Sequence, residues 1–549
     1  MPRMDRILFI IPPHIKYNDF IMPSHNARVI KKKDGNYGSV LTDMPLGALA
    51  MSSYVKKYVA IETKLLDFNI LLNKINSFSY SSFTDFFHDI LSAEQWAGYA
   101  PDIICISVLF TPSYQNMLDI AQCCRNIFTD ALITGGGGVP TNMYKKIFQD
   151  SSCFDALCYG EGERPLLGLV KADDKPRYLA ANSSWITREK VESGQLFQHD
   201  SIENLDEIPF YDYDICETDE YGLNPAMTAY ASIGEKKQNF HVMTSRGCPH
   251  RCCFCSSHTV HGRAMRYYNV SRVREDLERL RDKYGAKTII FQDDHFMADK
   301  QRALEIIAIV RELQITAIFQ NALALYALNK KVLEALKNAG VNQLPLPVES
   351  GSDRVLREIM HKPLNLNIVR RVANDCRDLE IYTNVNVLIG LPGETKQDIK
   401  DAIAFLKTVN ANWFIINIAT PLVGSEMFEI SLKNHYLKDN YIGSDYKEAV
   451  IETEDFTAGY IQEMAYVMNL ELNFVENPDF RLGNYKMALK GFENVIKVRS
   501  DHAIAFYYAA QCYKKIGELN RARQYMDIAR AKAQNPFWLK YIEMFHISI

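Results

Sequence analysis

Residues 244 to 255 read Thr-Ser-Arg-Gly-Cys-Pro-His-Arg-Cys-Cys-Phe-Cys, and within them Cys248, Cys252 and Cys255 set out three thiols at a C-x3-C-x2-C spacing. No second cysteine pair lies close enough in sequence to complete a four-cysteine zinc site. Three thiolates suit an iron-sulfur cubane in which the protein holds three irons and the fourth is free to bind something else. The loop then reads as a site of chemistry rather than a structural staple. The plainer alternative is a zinc ion with His250 or His258 as fourth ligand, although structural zinc sites usually draw their ligands from two separated knuckles. Cys253 breaks the spacing and reads as a bystander.

The run Ser-Arg-Gly-Cys-Pro-x-x-Cys-x-Phe-Cys resembles the signature of radical S-adenosylmethionine (SAM) enzymes, in particular the branch with an amino-terminal cobalamin-binding domain. That resemblance implies a 4Fe-4S cluster on Cys248, Cys252 and Cys255, its open iron chelated by the amino and carboxylate groups of SAM. An electron from an external donor would cleave SAM to a 5′-deoxyadenosyl radical. The cofactors carry the hard chemistry, and the protein supplies position and excludes water.

Regular alternation surrounds the loop. Strands are predicted at 241–244, 288–293, 316–322, 343–349, 382–389 and 413–419, with helices between them such as Val270 to Tyr284, Lys330 to Asn338 and Ile399 to Val409. Six strand-helix units over residues 241–430 predict an open (β/α)6 barrel, whose functional residues lie just beyond the strand carboxyl ends. Asp293 and Asp294 stand at the second of those ends and could bind the SAM ammonium group or a substrate donor, or simply cap a solvated loop. By the resemblance, Phe254 lies beside the adenine and Glu349 and Ser350 reach the ribose or methionyl part. Leu388 and Gly390 belong to the adenine-facing strand and turn. Arg263 and Arg266 follow the cluster loop and could pair with an acidic group. Leu422-Val423 replaces a Pro-rich stretch of the relatives, so the substrate face departs from theirs.

Residues 1–180 alternate in the same way, with strands at Arg6 to Ile11, Thr63 to Asp67, Ile103 to Ser107 and Leu132 to Thr134 and a helix over Leu46 to Tyr58. This predicts a doubly wound, Rossmann-like parallel sheet with ligands at its carboxyl edge. The four glycines Gly135 to Gly138 permit close approach of a ligand or make a tight turn. Pro12-Pro13, Pro45-Leu46-Gly47, Ser107 with Thr111, the glycine run and Gly160-Glu161-Gly162-Glu163 together resemble the B12-binding module of the same branch. The resemblance implies cobalamin, its nucleotide tail held by Ser107, Thr111, Gly135, Gly136 and Gly137, with Glu161 also at the site. Two departures stand out: Val139 occupies a position where many relatives have histidine, and no Asp-x-His-x-x-Gly motif occurs. His14 falls in the loop after the first strand, where by the resemblance a lower axial ligand could lie, although a lone loop histidine is ordinarily solvated.

Residues 181–240 read as a packed linker and 431–475 as a helical connector. In 476–549, Gly483 and Ala488 recur 34 residues later as Gly517 and Ala522, a period that resembles tetratricopeptide (TPR) repeats. Such a short array should dock on the barrel, and it could offer a groove to a protein partner. A net charge of −4 and no Lys/Arg block argue against nucleic acid, and no apolar run approaches the roughly 20 residues of a membrane span. The 12 scattered cysteines do not form a secreted disulfide framework, so a cytoplasmic location is expected. The family implied is that of cobalamin-dependent radical SAM enzymes. The expected activity is methyl transfer from SAM by way of methylcobalamin to an unactivated carbon of a small-molecule or peptide substrate. A rearrangement, cyclisation or oxidation, with cobalamin or on only a vestigial B12 fold, is the alternative.

Overall fold

A computed structural model describes residues 5–23, 29–40, 42–222, 238–444 and 446–549. The first sheet is built around β1 (Arg6–Ile11), where Ile7 to Ile11 are apolar without alternation and buried, as a strand covered on both faces must be. With β2 (Glu62–Asp67), β3 (Ile103–Ser107), β4 (Leu132–Gly136), β5 (Ala156–Cys158) and β6 (Trp185–Ile186) it forms a sheet of order β2-β1-β3-β4-β5-β6. All pairs are parallel except the last. The sheet therefore runs past residue 180, because β6 closes its edge from within the expected linker. The order reverses between β1 and β3, and in open α/β sheets the ligand crevice lies outside the carboxyl ends at that point.

Helix α1 (Leu46–Tyr58) covers one face of the sheet, and α2 (Tyr114–Ile127) follows β3. The glycine run is partly strand: Gly135 and Gly136 finish β4, and Gly137, at φ 99°, precedes α3 (Gly138–Asp150). A Cβ on Gly137 would stand 2.5 Å from the Val108 carbonyl, and one on Gly135 would stand 2.8 Å from Leu157. Gly137 is thus required by a backbone neighbour, whereas the Leu157 methyl beside Gly135 can shift.

The second unit begins with β7 (Asn239–Val242) and the short antiparallel pair β8 (Ser245–Arg246) and β9 (Arg266–Tyr267), which brackets the cysteine loop. Helix α4 (Val270–Tyr284) leads to β10 (Thr288–Phe291), followed by β11 (Thr316–Phe319), β12 (Gln343–Glu349), β13 (Tyr382–Ile389) and β14 (Trp413–Ile418). The six parallel strands form two triplets, β11-β10-β7 and β12-β13-β14, rather than one continuous ladder. Pro345 and Pro347, two residues apart in β12, remove two N–H donors from one edge of that strand, and no ladder joins it to β11 among the described residues.

The outer edge of β14 is closed by a side chain. Asn473 accepts from the Phe414 N–H and donates to the Phe414 carbonyl, both at 2.8 Å, much as a further strand would. Four helices then run from Tyr485 to Met544, and their base is tied to the barrel by Arg377 and buried Asp479 at 2.6 Å. Among the described residues no helix is long and apolar enough to cross a membrane.

Replacing Gly137 by alanine combines left-handed backbone with a backbone clash and should cost about 2 kcal/mol or more. Gly136→Ala meets nothing nearer than 3.8 Å and should cost far less. Urea unfolding of the two variants side by side checks the order, and equal losses would contradict it.

Candidate functional site

Each wall of the cysteine loop is held from a different element. Gly247, at φ 91°, brings the chain so close to the β9 approach that a Cβ there would lie 2.2 Å from the Ala264 carbonyl. Arg263 donates to the His250 carbonyl across the loop. Cys248, Cys252 and Cys255 are half-buried and unoxidised, whereas Cys253 is buried in the core, donating its N–H to the Met360 carbonyl and accepting from Met427 N–H. The spacing reading that set Cys253 apart therefore has a packing basis.

Asp293 is 2% exposed, and its carboxylate accepts from the Thr244 N–H and hydroxyl and from the Ser245 hydroxyl at 2.6 to 3.2 Å. Those bonds fix the strand that enters the loop. Burial raises its pKa despite those bonds. Asp294 differs, because its Oδ2 is buried without a hydrogen-bond partner among the described residues. Charges on Asp294, Cys255 and Cys252 add to burial in pushing the Cys248 thiol up to about 11.

Glu161, expected at the cofactor, is also committed elsewhere. It accepts from Arg266 at 2.6 and 2.9 Å and from His261 Nδ1 at 2.9 Å, and lies 3.3 Å from Arg246. Arg246 in turn donates to Glu163 at 2.7 Å. All four of these carboxylate and guanidinium side chains are at most 7% exposed. Burial alone would raise Glu161, but Arg246, His261 and Arg266 outweigh it and hold the carboxyl well below the usual range. Arg266 is thus internal rather than a surface charge.

The remaining strand ends carry their own local contacts. Glu349 has φ 65° and pairs with Lys362 at 3.1 Å; the Lys362 ammonium also lies 5.9 Å from the Phe254 ring centre. Ser350 is buried, and its hydroxyl accepts the Ser352 N–H. Leu388 is buried next to the turn at Gly390, whose φ is 88°. Glu394, fully buried, closes that turn by accepting from the Gly390 and Leu391 N–H groups at 2.6 and 3.2 Å. Burial pushes its pKa up to about 7. Gly390 is also needed because a Cβ there would lie 2.8 Å from Ile461 of the connector helix.

Several groups at the mouth have no motif to announce them. The Tyr326 hydroxyl lies between His250 Nε2 at 3.0 Å and His295 Nε2 at 2.8 Å. Lys362 belongs to no signature either.

Comparison with known proteins matches residues 242–406 to the Radical SAM superfamily and residues 44–170 to the B12 binding domain. The chain joins a B12-binding domain to a radical SAM domain. It is 28% identical over 367 residues to an uncharacterized methyltransferase, PH0819, of Pyrococcus horikoshii, which is 67% of this chain and 77% of the relative. It is 25% identical over 407 residues to the cytidylyl-2-hydroxyethylphosphonate methyltransferase of Streptomyces wedmorensis, covering 68% of this chain and 75% of that one. The fold is shared with the cobalamin-dependent S-adenosylmethionine radical enzyme OxsB, at a TM-score of 0.59 and 14% identity over 99% of this chain and 80% of the other.

The residues of the radical SAM domain fit a cluster and SAM. Charges on Cys252 and Cys255 act on Cys248, so the three thiols lie near one another, as ligands of one cubane must. The orphaned Asp294 Oδ2 beside them suits a cationic partner. In the B12-binding domain, Ser107 ends β3 and is half-buried, and Thr111 is buried where the chain turns into α2. Leu109 and Phe110 between them are 58% and 42% exposed at the crevice edge, an apolar surface suited to a flat macrocycle. His14 is not a solvated loop residue: burial outweighs the Asp43 charge and lowers its pKa to about 4.

Glu161→Gln leaves Arg246 and Arg266 buried without full compensation and should cost about 3–5 kcal/mol. A thermal unfolding midpoint equal to that of the parent would refute this. Glu394, with its folded pKa above the ordinary 4.5, holds a proton that the unfolded chain releases. Its contribution is complete below about pH 4.5 and is lost as pH rises to about 7, on the order of 3 kcal/mol in all. Relative to the parent, Glu394→Gln should therefore gain stability between about pH 5 and pH 7 in urea titrations, and parallel profiles would contradict the assignment.

Proposed function

We propose that this chain is a cobalamin-dependent radical SAM methyltransferase, moving a methyl group from SAM to an unactivated carbon of a small-molecule or peptide substrate. One observation carries the reading. The strand entering the cysteine loop and the loop leaving β5 of the B12-binding domain share the Glu161-Arg246-Arg266 network, so the two cofactor domains are built as one unit. The methyltransferase names of the two relatives support it.

Cys248, Cys252 and Cys255 would hold the cluster, and Asp294, Glu349, Ser350, Phe254, Leu388 and Gly390 would surround SAM. Ser107, Thr111 and the turn at Gly136-Gly137 would receive cobalamin. When bound, the cluster supplies the electron that splits SAM, and cobalamin carries the methyl group. The protein's part is to orient and enclose. Lys362 neutralises Glu349 beside Cys252, and the Tyr326 hydroxyl with His250 and His295 presents a polar wall to the substrate. An external protein or small-molecule donor would supply electrons, the helical tail would receive a protein partner, and the setting would be the cytoplasm.

Anaerobic purification with cobalamin supplied, then iron, sulfide and corrin quantitation on one sample, tests the cofactor set. The parent should retain all three, and the Cys248, Cys252, Cys255 triple alanine variant should lose iron and sulfide but keep corrin. Cys253→Ala should keep everything. A cluster without corrin in the parent would overturn the cobalamin half of the proposal.

A further inference from the structure

The barrel strands have two ends, and the cysteine loop with its neighbours uses only the carboxyl ends. At the amino ends, β10 to β14 face the first turn of helix α5 (Tyr485–Val498) across a cavity of about 1020 Å3. Thr288, Thr316, Gln343, Tyr382 and Asn412 mark the five strand starts along its wall. Strands set about 4.8 Å apart make this a trough on the order of 20 Å long, the reach of about six residues of extended chain. The cavity is therefore elongated, and it lies on the face opposite the cluster loop.

The charge of the trough is one-sided. Lys486 and Lys490 stand one turn apart on α5, line the cavity and are exposed, and neither ammonium group has a carboxylate partner among the described residues. Lys337 reaches the rim, where it donates to the Asn342 side chain at 3.1 Å and to the Glu380 carbonyl at 3.0 Å. It too meets no carboxylate among the described residues. Of the two carboxylates in the lining, Asp479 is committed to Arg377 at 2.6 Å, which leaves Glu380 alone against three ammonium groups. The whole chain carries a net charge of −4, so the trough is a local reversal of sign. A concave wall of one sign focuses its field on a partner of the other. Met487, 39% exposed between the two lysines, adds apolar contact with Ile318 and Ile516.

We propose that this trough docks an extended acidic peptide segment of a partner protein, with its carboxylates meeting Lys337, Lys486 and Lys490. The proposal deepens the reading that the helical tail receives a protein partner. Length favours a chain over a compact anion, and the position at the amino ends of the strands makes the contact one of docking, with no part in the chemistry.

The test pans the full-length protein, purified anaerobically with cobalamin supplied, against phage-displayed random peptides of about 12 residues, twice the reach of the trough. The enriched sequence is then made with a fluorescein label and titrated by anisotropy. Enriched peptides should carry two or more Asp or Glu within about six residues. Lys486→Gln combined with Lys490→Gln should weaken binding about tenfold or more and flatten its salt dependence. Both side chains are exposed, so iron, sulfide and corrin contents and the unfolding midpoint should stay at the parent values. Failure to enrich any sequence, enrichment of peptides without acidic residues, or equal affinity for the double variant would overturn the assignment. Pyrophosphate bound by the parent at micromolar concentration and lost by the variant would give the trough to a small anion and overturn it as well. Peptide binding is read independently of cofactor content, so its failure is distinct from a failure of the methyltransferase reading.

Discussion

A buried carboxylate facing two buried guanidiniums is the constraint on which the arrangement depends. Taking these charges out of water costs several kcal/mol each and is offset only while they meet in good geometry. Glu161 belongs to a loop of the B12-binding domain, whereas Arg246 and Arg266 belong to the two short strands that bracket the cysteine loop. The network therefore makes the cluster loop and the corrin crevice parts of one body, because neither set of charges is tolerable in the interior without the other. His261 joins the same carboxylate from the far side of the loop.

This coupling suits a reaction that uses two reactive cofactors. A protein whose task is positioning gains from elements that cannot drift relative to each other. The same logic recurs nearby on a smaller scale. Asp293 holds the Thr244-Ser245 strand, Glu394 holds the Gly390 turn, and Ser113 with Asn69 and Asn116 holds the loop of His14. In each case a buried polar side chain is committed to protein geometry, whereas Asp294 Oδ2 is left without a hydrogen-bond partner among the described residues.

The cysteine loop was legible because its three thiols are neighbours in the chain, where spacing alone carries the geometry. Strand-helix alternation gave both α/β units for the same local reason. Burial and long-range pairing were not legible. Asp293 and Asp294 look alike in sequence, yet one is sealed against Thr244 and Ser245 and the other has an orphaned oxygen. The Gly-Glu-Gly-Glu run gives no sign that Glu161 meets Arg266, which stands 105 residues further on. Nothing local shows that Ser113 meets His14, 99 residues away. The break between β11 and β12 has its local signal in Pro345 and Pro347, whose missing donors interrupt an otherwise regular succession of strands.

The most direct measurement of the central claim is the product pair formed from SAM under anaerobic, reducing conditions by protein loaded with cluster and cobalamin. The account predicts both S-adenosylhomocysteine, from methyl donation, and 5′-deoxyadenosine, from reductive cleavage, with S-adenosylhomocysteine vanishing when cobalamin is withheld. Formation of 5′-deoxyadenosine alone by the fully loaded protein would contradict methyl transfer and leave a radical enzyme of another outcome.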